Sequence, residues 1–287
     1  MSIDVRTGAT EVLAATAANG GGTHLSWPNK VDLFGVGLSV TNYEEATRVI
    51  LQAARRRIAS VVACQPVHAV ITASEDATLR SQVNSFELVT PDGQPVRWAM
   101  NLLHVTRLID RVYGPELMLR LCRGAAEEGI SIYLYGGSPA VDEQLHVNLR
   151  HLYPELRIAG HESPPFRALT PAEDRAAVER INASGAGLVF VGLGCPKQDR
   201  FAYEHRHAIQ AVQLCVGAAF DFHAGAKKMA PAWMQRRGLE WLYRLVQEPG
   251  RLWRRYLVTN SHFLAKLAAA LTATAINHVW RMVKKTH

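Results

Sequence analysis

Paired cysteines, long apolar runs and C-terminal acids are what this chain lacks. Its 287 residues include four cysteines, Cys64, Cys122, Cys195 and Cys215, far apart and without a C-x-x-C pair. That argues against a disulfide framework and a cysteine-type zinc site, and it suits a reducing compartment. No run of 18 apolar residues occurs; the best candidate, Leu264 to Val279, is interrupted by Lys266, Asn277 and His278. No membrane-spanning helix is therefore expected. The first 28 residues are rich in Ala, Thr and Gly, carry Asp4 and Glu11, and lack an apolar h-region. They read as a flexible tail, residues 1–30, rather than a signal peptide. From Trp233 onward ten Lys/Arg stand against two Asp/Glu, a local charge of +8, whereas the remaining 232 residues carry −1. Such a basic segment is the footprint of a phosphate-rich partner, an anionic membrane or a nucleic acid.

What is present is ordinary for a globular protein: 48% hydrophobic, 20% charged and 8% aromatic residues. Strand-like and helix-like runs alternate from about residue 31. Strands are expected at 58–64 (IASVVAC), 86–90, 130–135 (ISIYLY), 156–159, 188–191 (LVFV) and 212–216 (VQLCV). Helices are expected at 66–83, 114–128, 139–152 and 170–184, and from Lys197. Short apolar strands alternating with helices imply βαβ units and a mainly parallel sheet covered on both faces, a Rossmann-like α/β fold. After about Ala230 the pattern changes to two helices, 231–247 and 250–274, joined at Glu248-Pro249. The expected organisation is a tail (1–30), an α/β core (31–230) and a basic, aromatic-rich helical appendage (231–287).

Two strand–glycine–helix junctions stand out, YLYGGSP (133–139) and VFVGLGCPKQDRF (189–201). Gly136, Gly137 and Ser138 in the first, and Gly192, Gly194, Pro196 and Lys197 in the second, suit a backbone that approaches a nucleotide diphosphate at a helix N-terminus. The same residues equally make tight βα turns. Gly192-x-Gly194 is not a dinucleotide fingerprint, because Lys197 stands where the third glycine belongs. Gln198 and Asp199 read either as N-terminal helix polarity or, for Gln198, as a hydrogen bond to a ligand over the glycine loop. Asp221-Phe222-His223 follows the last strand; Asp221 is a candidate donor contact and His223 reads as structural. No D-x-D triplet occurs. A divalent metal holding a diphosphate needs paired oxygen ligands, so no metal cofactor is expected. Arg, Lys and helix dipoles would carry the charge instead.

The stretch LVTPDGQPVRW (88–98) ends a strand at Pro91-Asp92-Gly93. Asp and Gly are good turn formers, yet a carboxylate at the carboxyl end of a parallel strand also lies where such sheets bind ligands. Both readings stay open on this stretch alone. In the tail GLEWLYRLVQEPGRLWRRYL (238–257), Trp241, Tyr243, Trp253 and Tyr256 interleave with Arg244, Arg251, Arg254 and Arg255. Glu240 and Arg244 have i,i+4 spacing in the favourable order for an ion pair. The segment reads as a solvated helix pair, as an interfacial membrane element, or as a source of arginines for a diphosphate.

Taken in order, TPDGQPV (90–96), RVYGPELM (111–118), IYLYGGSP (132–139), YPELRIAG (153–160), VFVGLGCPKQD (189–199), VGAAFDFHAGAKKMAP (216–231) and GLEWLYRLVQEPGRLWRRY (238–256) resemble the WecG/TagA/CpsF glycosyltransferases, family 26. The resemblance covers about residues 31–262. It implies an inverting, metal-independent transferase that moves a sugar from a UDP-sugar (UDP-ManNAc, UDP-ManNAcA or UDP-Glc type) to an undecaprenyl-diphosphate-linked glycan. The setting it implies is polysaccharide or wall-polymer assembly at the inner face of a bacterial cytoplasmic membrane. It makes Asp92 the candidate general base, an aspartate for which an ordinary carboxylate pKa would suffice. Arg111 becomes a second candidate catalytic residue and Gln198 a donor-binding motif residue, and Arg244, Arg251 and Arg255 become phosphate or membrane contacts. Self-association through the exposed appendage is expected, and nucleic acid is not an expected partner. The chain departs from the family pattern at Ala63-Cys64-Gln65-Pro66-Val67-His68, where a Thr-x-Asn type motif is usual. Asp199 replaces a Glu, and Met229 an Arg beside Lys227 and Lys228. The rival readings are an NAD(P)-dependent oxidoreductase, opposed by Lys197, and a non-enzymatic basic module using the C-terminal segment.

Overall fold

A computed structural model describes residues 25–283. The elements run β1 (Lys30–Leu33), β2 (Val36–Ser39), α1 (Tyr43–Arg55), β3 (Ser60–Gln65), α2 (Val67–Glu75), α3 (Ala77–Asn84), β4 (Leu88–Pro91), α4 (Gln94–His104) and α5 (Gly114–Glu127). They continue as β5 (Ile132–Gly136), α6 (Pro139–Leu152), β6 (Ile158–Glu162), α7 (Pro171–Ala183), β7 (Leu188–Gly192), α8 (Lys197–Glu204), β8 (Val212–Cys215) and α9 (Ala219–His223). The chain closes with α10 (Ala232–Arg236), α11 (Glu240–Gln247) and α12 (Pro249–Val283).

Six strands form one parallel sheet in the order β4-β3-β8-β7-β5-β6, and β1 and β2 form a separate antiparallel hairpin. This is the α/β architecture the alternating pattern implies. The strands are apolar on both sides because both sheet faces are covered. Val62, Leu188, Phe190, Val212 and Leu214 point to the face packed by α1, α5, α6 and α9. Their neighbours Val61, Ala63 and Cys215 face α2, α3 and α4, while Val189 and Val191 face α7 and α8. Adjacent strands β3 and β8 send their following helices, α2 and α9, to opposite faces. That is a topological switch point, and it opens a crevice at the carboxyl ends of the strands.

Several local expectations change. The helix expected at 66–83 is two, because Asp76 ends α2 and caps α3, its carboxylate accepting from the Leu79 N–H at 3.0 Å. Pro91-Asp92-Gly93 is a strand-to-helix junction rather than an isolated turn. Gly93 is the N-cap of α4, and Pro95 sits in the first turn, where its missing N–H is harmless. The strand expected at 156–159 runs Ile158–Glu162. The first appendage helix splits at Gly238, which has a φ of +69°, and the second extends to Val283. Of the expected tail, residues 1–24 lie outside the described residues, whereas Leu25 and Trp27 pack against the core. The appendage lies against the core: α12 packs on α2 and α4, with Leu252, Tyr256 and Phe263 buried. Phe263 meets Phe34 edge-on at 5.4 Å.

Candidate active site

A cleft of about 1550 Å³ opens at the carboxyl ends of the central strands and is roofed by α11 and α12. Asp92 stands on its wall, immediately after β4, and is 9% exposed. Its Oδ2 accepts from the Gly114 N–H at 2.7 Å, the first amide of α5, so a helix N-terminus fixes one carboxylate oxygen. Glycine keeps this approach open, since a Cβ on Gly114 would lie 3.2 Å from that oxygen. Oδ1 has no hydrogen bond to any described residue. Burial pushes the Asp92 pKa up to about 6, against the pull of the Arg111 guanidinium and the Gly114 N–H, with Glu240 adding to the push. The ordinary carboxylate expected from sequence is thus a tuned one, because it is desolvated.

Arg111 is buried beside it, but its charge is directed to the roof. Its Nη2 donates to Glu240 Oε2 at 2.7 Å and to Gln235 Oε1 at 3.1 Å. The other Glu240 oxygen accepts from the Tyr113 hydroxyl at 2.7 Å, and the guanidinium stacks 4.0 Å above the Tyr113 ring. Arg111 and Glu240 side chains are only 7% and 13% exposed. This clasp joins the loop before α5 to the start of α11. Glu240 therefore does not make the i,i+4 pair with Arg244 expected from sequence, because a buried guanidinium is the stronger partner.

The two glycine junctions meet on the opposite side of the cleft. Gly136 pairs with Gly192 across β5 and β7, and a Cβ at Gly136 would stand 2.6 Å from the Gly192 carbonyl carbon. Gly137, Ser138, Gly192, Gly194, Lys197, Gln198 and Asp221 line the cleft, while Gly136 and Pro196 shape the turns behind it. Ser138 caps α6 by accepting from the Val141 N–H at 3.3 Å. Gln198 Oε1 accepts from the Gly194 N–H at 3.2 Å, which holds the loop; its Nε2 donates to no described residue. Asp199 is fully buried, accepts from Gln65 Nε2 at 3.1 Å, and is raised to about 6 by burial against hydrogen bonds from Cys195 and Gln65. The Gln65 side chain from the departing Ala63–His68 stretch is thus tied to the Asp that replaces a Glu.

The cleft cations contributed after β8 divide into two sets. Lys227 bonds Asp221 at 2.9 Å and Glu248 at 3.5 Å, and Arg251 is paired to Glu248. Arg244 lies over the Phe222 ring at 5.6 Å and Arg255 over Tyr256 at 5.5 Å, and neither has a carboxylate partner among the described residues. The Arg255 Nε is buried without a hydrogen-bond partner. Both guanidiniums face His68, whose pKa is pushed down to about 3 by burial and by these two charges. Two guanidiniums without carboxylate partners around a neutral imidazole leave this part of the cleft electropositive. His223, read as structural, is fixed through its Nε2 to the Pro115 carbonyl at 2.8 Å.

Three participants escaped the sequence reading: Glu240, Tyr113 and His68. Glu240 and Tyr113 lie within quoted motifs, but their pairing spans 127 residues. His68 was visible only as a departure from a pattern. The family model for the Glycosyl transferase WecG/TagA/CpsF family matches residues 31–276.

Proposed function

The chain belongs to the WecG/TagA/CpsF glycosyltransferase family, whose members act in cell-surface polymer biosynthesis, and on that footing we propose that it moves a hexosyl group from a UDP-sugar to a lipid-diphosphate-linked glycan with inversion. The observation that carries this reading is the arrangement of one desolvated carboxylate, Asp92, opposite two glycine junctions, with the uncompensated Arg244 and Arg255 in the same cleft. The UDP moiety lies along Gly137, Gly192 and Gly194, with its diphosphate toward the N-termini of α6 and α8. Asp92 Oδ1 takes the proton from the acceptor hydroxyl. That oxygen attacks the anomeric carbon from the face opposite the diphosphate, the bond from carbon to phosphate oxygen breaks, and UDP departs with the electron pair. Arg244 and Arg255 balance the charge that grows on the leaving group.

The reading needs no divalent cation, since these guanidiniums supply the charge. Among the described residues the one cluster spaced to hold a metal, Glu143, His146 and His161, is absent from the cleft lining. The decisive experiment is UDP release over a panel of UDP-sugars with a synthetic lipid-diphosphate sugar acceptor, using the wild type and Asp92→Asn. The variant should lose about two to four orders of magnitude in turnover, the range for a general base, and keep its UDP affinity. Near-normal turnover in Asp92→Asn would return this aspartate to a structural role.

A further inference from the structure

The parallel sheet ends at β6, which pairs with β5 alone, and the register of that pair shifts between Ile132 and Tyr133. An edge strand leaves the N–H and C=O groups along its outer side unpaired, so its side chains carry more of its attachment. Those side chains alternate. Glu162 points to α7 and accepts from the Arg180 guanidinium at 2.8 Å, whereas His161 points to α6. On α6, Asp142, Glu143 and His146 come round to meet it, and the last two stand at i,i+3 on one helix face.

Glu143, His146 and His161 each bring one potential ligand atom within 4.8 Å of the others. The two imidazoles lie face to face, with centroids 4.3 Å apart and planes 19° from parallel. Rings stacked in this way cannot hydrogen-bond one another, and the His146 Nδ1 is buried without a partner. Behind the pair stands Asp142, only 5% exposed, which accepts from the His161 Nδ1 at 2.8 Å. That bond puts the ring proton on Nδ1 and leaves Nε2 with its lone pair. A buried carboxylate that holds a histidine from behind in this way is the usual outer-shell partner of a metal-ligating imidazole. None of these four residues lines the cleft.

We propose that His146, His161 and Glu143 bind a zinc ion, with Asp142 as the outer-shell carboxylate and water at the fourth position, and that the ion braces the edge strand β6 against α6. The donor set selects the occupant. Two imidazole nitrogens and one carboxylate oxygen suit zinc, whereas magnesium and calcium are held by shells of oxygen. Tetrahedral zinc draws its ligand atoms to about 3.3 Å of one another. Rotation of the exposed Glu143 and the partly exposed rings supplies that contraction. The ion sits outside the cleft, so it adds a structural tie and leaves the transfer chemistry to Asp92 and the side-chain cations. The proposal stands independently of the transferase reading.

The test uses the full, untagged chain, stripped with a chelator and titrated calorimetrically with zinc chloride; cobalt chloride serves as a spectroscopic probe of the same site. The wild type should take up one tightly held zinc ion, and cobalt should show the visible absorption of a four-coordinate site. Asp142→Asn should weaken zinc binding about ten- to a hundredfold, as loss of an outer-shell partner does, and His146→Gln and His161→Gln by about a hundredfold or more. His151→Gln, which changes an exposed histidine of the same helix, should bind as the wild type does. Zinc should raise the melting temperature of the wild type and slow amide exchange over residues 158–162, and it should do neither in His161→Gln. Failure of the wild type to bind zinc would overturn the proposal. So would equal affinity in His146→Gln/His161→Gln, which would place the ion on other histidines. Tight binding without protection of the 158–162 amides would overturn the bracing role.

Discussion

Asp92 is the residue at which electrostatics, stability and chemistry can be separated. Its carboxyl is raised to about 6 in the folded chain against an ordinary 3.8. A base must be ionised, so the rate should fall on the acid side with an apparent pKa near 6. A pH profile of turnover under saturating substrates measures that limb; a limb near 4 would show that the desolvation is relieved when substrates bind. The same shift carries a stability cost. Below the unfolded value both states are protonated and the cost vanishes. Between the two values only the unfolded state ionises, so the cost grows with pH. Above about 6 it is constant, on the order of 3 kcal/mol. Asp92→Asn should therefore raise the melting temperature by several degrees at pH 7, and the gain should vanish near pH 4. Paired melts at the two pH values check it, and a gain of equal size at pH 4 would attribute the effect to packing. Sequence could raise Asp92 as a candidate, since a carboxylate after a parallel strand is visible there. Its tuning was not legible, because burial comes from the tertiary fold and the Gly114 amide opens a helix 22 residues away.

Among the elements, α11 has the clearest consequence. Glu240 at its first position binds both Arg111 and Tyr113, and its charge also pushes the Asp92 carboxyl upward. Glu240→Gln should weaken appendage docking by roughly 1–3 kcal/mol, as expected for a hydrogen bond to a charged group. It should also lower the acid limb of the pH profile, because Arg111 would then face Asp92 without its counter-charge. Protease sensitivity of the 237–249 segment reads the first effect and the pH profile reads the second; an unmoved limb would confine Glu240 to a structural role. The strands were legible because buried parallel strands are short apolar runs between glycines. The break at Asp76 was not, because the surrounding residues keep a helical pattern through a cap. Nor was the Glu240 clasp: its i,i+4 spacing to Arg244 offered a local partner, and only the tertiary fold shows the buried one.

At the scale of the molecule, charge and apolar exposure share one end. The segment from Trp233 carries +8 while the remainder carries −1. Trp233, Trp241, Leu242, Val246, Trp253, Leu257 and Val258 are exposed on it. Among the described residues no helix is long and apolar enough to cross a membrane. Surface attachment through aromatic rings and arginines is the mode this composition suits. Binding to vesicles containing anionic lipid should weaken steeply between low and high salt, and a chain ending at residue 232 should lose it. Salt-independent binding, or binding retained by the truncated chain, would place the contact elsewhere. Turnover should be unchanged by a chelator, as the cleft cations are side chains; loss of activity that returns with added magnesium would overturn the metal-free mechanism.

The Arg111–Glu240–Tyr113 clasp also constrains how this chain can vary. Burial sets most of the Asp92 shift, but the Glu240 carboxylate that adds to it comes from the appendage, so on the proposed reading the segment that would seat the enzyme on a membrane also contributes to the acid limb of its base. The two cannot be exchanged independently. A C-terminal segment grafted from a relative with a neutral residue at position 240 would leave Arg111 uncompensated. Such a chimera would arrive at the right place with a different acid limb.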